Sequence, residues 1–217
     1  MKTKLIISLD RIALGKAKRF IKEVSNLIWG VKLRSLVLQN SLDVIEEFKQ
    51  YCNVMLDFKL YDIESAMDES IGLHLQHGAD LTTVHCSSVF KPKEEHQKSV
   101  IGVTVLSSMC QEEFNLFNNN KINDVVSNMV DFSDKYYGGI VCSPLELKGI
   151  SKFKQLKICP GVRPEGYIGK DEQSRVDTPG STIKNGADLI VIGRPIVLSK
   201  DMVGETKKIV EGIYGGL

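Results

Sequence analysis

Residues 53–85 read NVMLDFKLYDIESAMDESIGLHLQHGADLTTVH. A β-rich run over 53–59 gives way to apolar residues three and four apart (Ile63, Met67, Ile71 and Leu75), and this stripe ends at the stop signal Gly78. A second β-rich run follows at 80–85. Strand, helix, strand is the unit of a parallel sheet. Outward from it, similar short runs stand at 4–9, 27–33, 100–106, 139–142, 156–159 and 188–192. Helical spacing recurs at 11–25, 41–51, 121–135 and 200–213. Eight strands alternating with helices in 217 residues fit a closed (β/α)8 TIM barrel better than the rival doubly wound open sheet. No linker, low-complexity block or short repeat interrupts the pattern, so residues 1–217 are expected to form one domain.

Composition narrows the partners. With 42% apolar residues, 25% charged residues and a net charge of +1, the chain has the make-up of an ordinary globular protein and no basic excess for nucleic acid. Lys16, Lys18, Arg19 and Lys22 fall at helical spacing around Ala17, Phe20 and Ile21, the pattern of a solvated helix face. The opening MKTKLIISLD has too short an apolar run for an export signal, and no stretch of about eighteen apolar residues occurs, so no membrane span and a cytoplasmic location are expected. Five scattered cysteines without a C-x-x-C pair read as free thiols. His74 and His77 form an H-x-x-H pair with no third ligand of matching spacing, and are read as helix-surface histidines rather than metal ligands.

The strand over 53–59 carries charges among its apolar residues. Alternation puts Asp57 and Lys59 on one face and Phe58 and Leu60 on the other; if the latter meet the helix layer, the charges face the barrel axis. Asp62 follows at the strand end, Lys32 ends the second strand in WGVKL, and Asp10 closes the first. Any one of these fits a solvated strand end with an incidental ion pair, but five at strand C-termini mark the mouth where barrels of this kind do chemistry. Interleaved carboxylates and ammonium groups keep one another ionised. Such an array offers a proton donor beside a fixed negative field, which suits a reaction that builds a carbanion and then needs one proton. After the seventh strand, the Gly- and Pro-bounded segment 161–180 is long enough for an active-site lid. After the eighth, VIGRPI opens a helix; with Arg163 and Gln173 in the preceding segment, it gives a phosphate signal.

These residues resemble the orotidine 5'-phosphate decarboxylase family in its short bacterial form, through SLD, LDFKLYDI, HGAD with TVH, GVTVLSS, PGVRP, EQSRV with TP, and GADLIVIGRPI, over nearly the whole chain. The resemblance implies a decarboxylase converting orotidine 5'-monophosphate (OMP) to UMP and carbon dioxide, without metal or organic cofactor, as a homodimer with shared sites. It implies a catalytic array of Lys32, Asp57, Lys59 and Asp62, the last reaching across the dimer. Asp10 would contact the ribose, Ile63 of the second chain would line the site, and Ser107 would meet the pyrimidine. Gln173 would bridge base and phosphate, and Arg163, Gly193 and Arg194 would hold the phosphate. The chain departs from the pattern at Glu64, Ser65 and Ala66, where proline, asparagine and threonine are usual, at Arg34 in place of glycine, and in CSSVF after His85. Two alternatives remain: a magnesium-dependent relative acting on sugar phosphates (3-keto-gulonate-phosphate decarboxylase or hexulose-phosphate synthase), and a catalytically silent phosphate-binding barrel. Lys32 argues against the first, which carries glutamate there.

Overall fold

A computed structural model describes residues 3–116, 118–167 and 176–214. Eight parallel strands close into a barrel in sequential order: β1 (Leu5–Ser8), β2 (Gly30–Leu33), β3 (Asn53–Leu60), β4 (Leu81–His85), β5 (Val100–Val103), β6 (Gly139–Val141), β7 (Leu156–Cys159) and β8 (Leu189–Ile192). Closure is made by β8, whose Val191 pairs with Ile6 of β1. Around the barrel run α1 (Leu14–Val24), α2 (Ser35–Gln39), α3 (Val44–Lys49), α4 (Glu64–Gln76), α5 (Gln111–Phe114), α6 (Ile122–Tyr136), α7 (Pro179–Lys184), α8 (Arg194–Val197) and α9 (Met202–Tyr214). The expected (β/α)8 architecture is therefore present, with two local differences. The β4–β5 and β6–β7 connections carry only 3-10 turns, at Cys86–Ser88, Glu94–Ser99 and Pro144–Glu146.

Period-two alternation sorts the strand residues into two cores. Ile6, Met55, Leu81, Ile101, Ile158 and Leu189 fill the barrel interior. Leu5, Ile7, Val31, Leu33, Val54 and Leu56 face outward and pack with Phe20, Ile21, Phe48 and Val126 of the helices. Lys32 and Asp57 share the inward parity of Gly30 and Met55, so they stand at the C-terminal end of the interior, where the apolar filling stops. Gly30 is required below Lys32, because a Cβ there would sit 2.2 Å from the Asn53 carbonyl oxygen.

Strand β3 does not follow plain alternation to its end. Leu56 pairs with Thr82 and Leu60 with Val84, so four steps along β3 match two along β4. Lys59 lies within this bulge and adopts a left-handed backbone, with φ of 52°. That conformation costs a non-glycine residue about 1 kcal/mol or more and persists where the surroundings enforce it. Phe58 and Leu60 pack outward, as expected, and Phe58 stacks on His74 of α4 with ring centroids 5.4 Å apart.

Helix α4 buries Met67 and Ile71, whereas Ile63, first of the expected stripe, is the N-cap and is exposed. The surface reading of His74 is corrected. Its ring is buried and its Nδ1 lies 2.8 Å from the Thr82 hydroxyl, while His77 turns to Asp43 and Glu46, so the two imidazoles do not converge. Burial, with a smaller contribution from His77, pulls the His74 imidazole down to about 4. The folded state then binds this proton less readily than the unfolded chain. The stability from neutral His74 is fully present above about pH 6.5 and is lost as pH falls toward 4. We expect unfolding free energy measured in urea to drop by about 1–2 kcal/mol between pH 7 and pH 5 from this group. His74→Gln should flatten that slope; an unchanged slope would remove His74 as its source.

Candidate active site

The C-terminal mouth of the barrel opens into a cavity of about 570 Å³. Lys32, Asp57 and Lys59 line it with Asp10 and Ser107, and so do Arg163, Gly193 and Arg194 from the β7 and β8 ends. Four of the expected charges form one continuous chain. Lys32 Nζ lies 3.0 Å from Asp10 Oδ2 and 3.0 Å from Asp57 Oδ2, and Lys59 Nζ lies 2.8 Å from Asp57 Oδ1. Carboxylate and ammonium alternate without a break.

Burial is uneven along this chain. Lys32 and Asp57 are 9% and 8% exposed, whereas the Lys59 side chain keeps 31% of its surface. Burial alone would push the Asp57 carboxyl up, but the flanking Lys32 and Lys59 ammonium groups hold it well below the usual carboxylate range. At Asp10, burial is likewise outweighed by Lys32 and by the hydroxyls of Ser8 and Ser35, and the carboxyl sits at about 2. Burial lowers the Lys32 ammonium less than Asp57 and Asp10 raise it, so its pKa lies above the ordinary lysine value. At neutral pH both carboxylates and Lys32 are charged. The two acidic members have no proton to give, and the most accessible ammonium, Lys59, faces the cavity.

Several hydroxyls absent from the sequence reading fix this geometry. Ser8 Oγ donates to Asp10 Oδ2 at 2.7 Å, and Ser35 Oγ donates to Asp10 Oδ1 at 2.9 Å. Thr83 Oγ1 accepts from the Lys59 backbone N–H at 2.9 Å and donates to Asp57 Oδ1 at 3.2 Å. Small hydroxyls at strand ends carry no sequence signal by themselves, so only the cross-strand register reveals them. Arg34, the departure next to Lys32, also lines the cavity, as does Arg11, whose backbone φ is 63°.

The side of the cavity at the β7 and β8 ends is built from backbone as well as side chains. A short parallel bridge joins Val162 to Asp177, and Arg163 N–H donates to Asp177 O at 2.9 Å, fixing the start and finish of the segment after β7. Gly193 caps α8 beside β1, where a Cβ would stand 3.1 Å from Ser8 Cβ. Arg194 begins that helix and reaches the same cavity. Two of the expected residues among those described are not brought into this group. Asp62 and Ile63 are exposed at the rim, Asp62 Oδ1 accepting the Ile63 N–H at 2.7 Å. Gln173 lies outside the described residues.

The mouth is a poor cation site. Among the described residues its carboxylates, Asp10 and Asp57, are both paired to Lys32, whose ammonium occupies the place between them and would repel a divalent ion. Among the described residues, the grouping of metal-capable side chains is Asp43, Glu46 and His77 on α3 and the end of α4, apart from the cavity lining. All five cysteines are free thiols. Among the same residues, no helix is long and apolar enough to cross a membrane.

Comparison with known proteins agrees with the geometry. The orotidine 5'-phosphate decarboxylase of Desulfosudis oleivorans is 31% identical over 212 residues, covering 88% of this chain and 85% of that protein. That of Campylobacter fetus subsp. fetus is 32% identical over 230 residues, covering 97% and 99%. The crystal structure of orotidine 5'-phosphate decarboxylase from Lactobacillus acidophilus matches with a TM-score of 0.78 at 22% identity, covering 98% of this chain and 99% of that one, a likeness of fold. A family model described as "Orotidine 5'-phosphate decarboxylase / HUMPS family" matches residues 3–209. The chain belongs to the orotidine 5'-phosphate decarboxylase / HUMPS family.

Proposed function

We propose that this protein decarboxylates OMP to UMP in pyrimidine biosynthesis without a metal. The observation that carries this reading is the unbroken Asp10–Lys32–Asp57–Lys59 chain at the barrel mouth. Loss of carbon dioxide leaves an electron pair on a pyrimidine carbon that has no conjugated sink. A fixed ammonium beside that carbon stabilises the developing charge, an effect worth about 3–4 kcal/mol for one well-placed donor. Lys59 supplies the ammonium: the carbon–carboxylate bond breaks, the pair stays on the ring, and it takes a proton from Nζ. The neutral amine is then reprotonated from solvent. Asp57 faces the departing carboxylate and adds ground-state repulsion, while Lys32 holds Asp57 and reaches the ribose.

The rest of the cavity binds. Asp10 accepts from the ribose hydroxyls, Ser107 meets the base, and Arg163, Gly193 and Arg194 hold the phosphate, with Gln173 bridging base and phosphate. Phosphate binding far from the reacting carbon is used to orient the base. Asp62 and Ile63, exposed in the single chain, complete the site of a second copy in a homodimer.

The deciding experiment is an absorbance assay of OMP with and without chelator. Turnover in both conditions is expected. Loss on chelation would favour a magnesium-dependent relative, and no turnover in either would favour a silent phosphate-binding barrel. Arg194→Ala should raise KM for OMP by about 10- to 100-fold, the worth of a charge-assisted contact, and leave uridine binding unchanged. Equal loss of affinity for nucleotide and nucleoside would contradict the phosphate role.

A further inference from the structure

We infer that Thr83 is a positioning residue that sets the Asp57–Lys59 pair, an inference that rests on the decarboxylase reading above. Thr83 is fully buried and has the inward parity of Leu81 on β4, facing the bulge of β3. Its hydroxyl has both functions engaged. The oxygen accepts the Lys59 backbone N–H at 2.9 Å, and the proton goes to Asp57 Oδ1 at 3.2 Å, the same oxygen that binds Lys59 Nζ at 2.8 Å. One hydroxyl therefore ties the backbone of the proton donor to the carboxylate that aims its side chain. This matters because Lys59 is held at φ of 52°, a conformation it would leave if the surroundings released it. Within the bulge, where β3 advances four residues against two of β4, the Thr83 hydroxyl supplies a cross-strand tie between the two paired positions. Relaxation at Lys59 would swing Nζ away from the reacting carbon without touching the phosphate or ribose contacts. The signature is thus a loss in kcat rather than in KM.

Thr83→Val keeps the shape and removes both hydrogen bonds. We expect kcat for OMP to fall about tenfold or more, with KM and UMP affinity within about twofold of wild type. Thr83→Ser, which restores the hydroxyl, should bring kcat back to within about threefold. A parallel readout needs no turnover: the Lys59 amide should exchange with solvent at least about tenfold faster in Thr83→Val and return toward the wild-type rate in Thr83→Ser. If wild type fails to decarboxylate OMP, the function reading falls while amide exchange still tests the tie. Wild-type kcat in Thr83→Val, a matching rise in KM, or failure of Thr83→Ser to recover would each overturn the positioning role. If Thr83→Val does not fold, Thr83→Ala carries the same comparison against Thr83→Ser.

Discussion

Lys59→Ala is expected to lower OMP turnover by on the order of 10⁴-fold while UMP still binds, since under the proposed mechanism the substitution removes both the proton donor and the charge that stabilises the carbanion. Two features of the site make this variant interpretable. The Lys59 side chain is 31% exposed, so its loss removes a partly solvated partner and should cost about 1 kcal/mol of stability or less. Asp57 keeps its contact to Lys32 at 3.0 Å and remains ionised. Comparable OMP turnover by Lys59→Ala and wild type would eliminate Lys59 as the donor. The same variant tests the shared site. Mixed with Asp62→Ala subunits, it should regain about a quarter of wild-type activity, because half of statistically exchanged dimers are mixed and each holds one intact site. No recovery, with exchange demonstrated by differential tagging, would count against Asp62 serving a second chain.

The barrel could be read from the sequence because its signals are local and repeated. Each of the eight apolar runs falls on a strand, and the largest offsets, three residues each, are at 27–33 against Gly30–Leu33 and at 100–106 against Val100–Val103, where the apolar residues Leu27 to Trp29 and Val105 to Leu106 lie outside the paired strands. The short helices α5, α7 and α8, of four to six residues, make little more than one turn and show no periodicity in the sequence. The charged residues were visible because buried-looking strands rarely hold them. What alternation could not reveal is the bulge: Lys59 reaches the face it shares with Asp57 through a left-handed backbone, and no glycine marks the place. His74 was misjudged for a related reason. A histidine in a polar helical stretch resembles a surface residue until Phe58 and Thr82 are known to flank it.

Asp57→Ala tests whether the array serves stability or chemistry. Removing this carboxylate leaves the Lys32 ammonium buried at 9% exposure with only Asp10, whose own side chain is 37% exposed, as its counter-ion. Breaking a buried ion pair from one side costs about 3–5 kcal/mol, and the remaining Asp10 contact puts the expectation at about 3 kcal/mol. The pH dependence identifies the cause. Because the folded-state carboxyl of Asp57 lies below its unfolded value, its contribution is complete above about pH 4 and is lost as pH falls further, so the gap between wild type and variant should narrow only in that acid range. A gap that stayed constant from pH 7 to pH 3 would point to lost packing instead. Replacing both partners, as in Lys32→Met with Asp57→Leu, removes the desolvation cost together with the attraction, and stability should return to near wild type while turnover stays abolished. Asp10 can tolerate that change because it retains Ser8 and Ser35 and is partly solvated. A stable, inactive double variant would mean that the fold does not need these charges and that their burial serves the reaction. A double variant as unstable as Asp57→Ala would assign them a structural role instead.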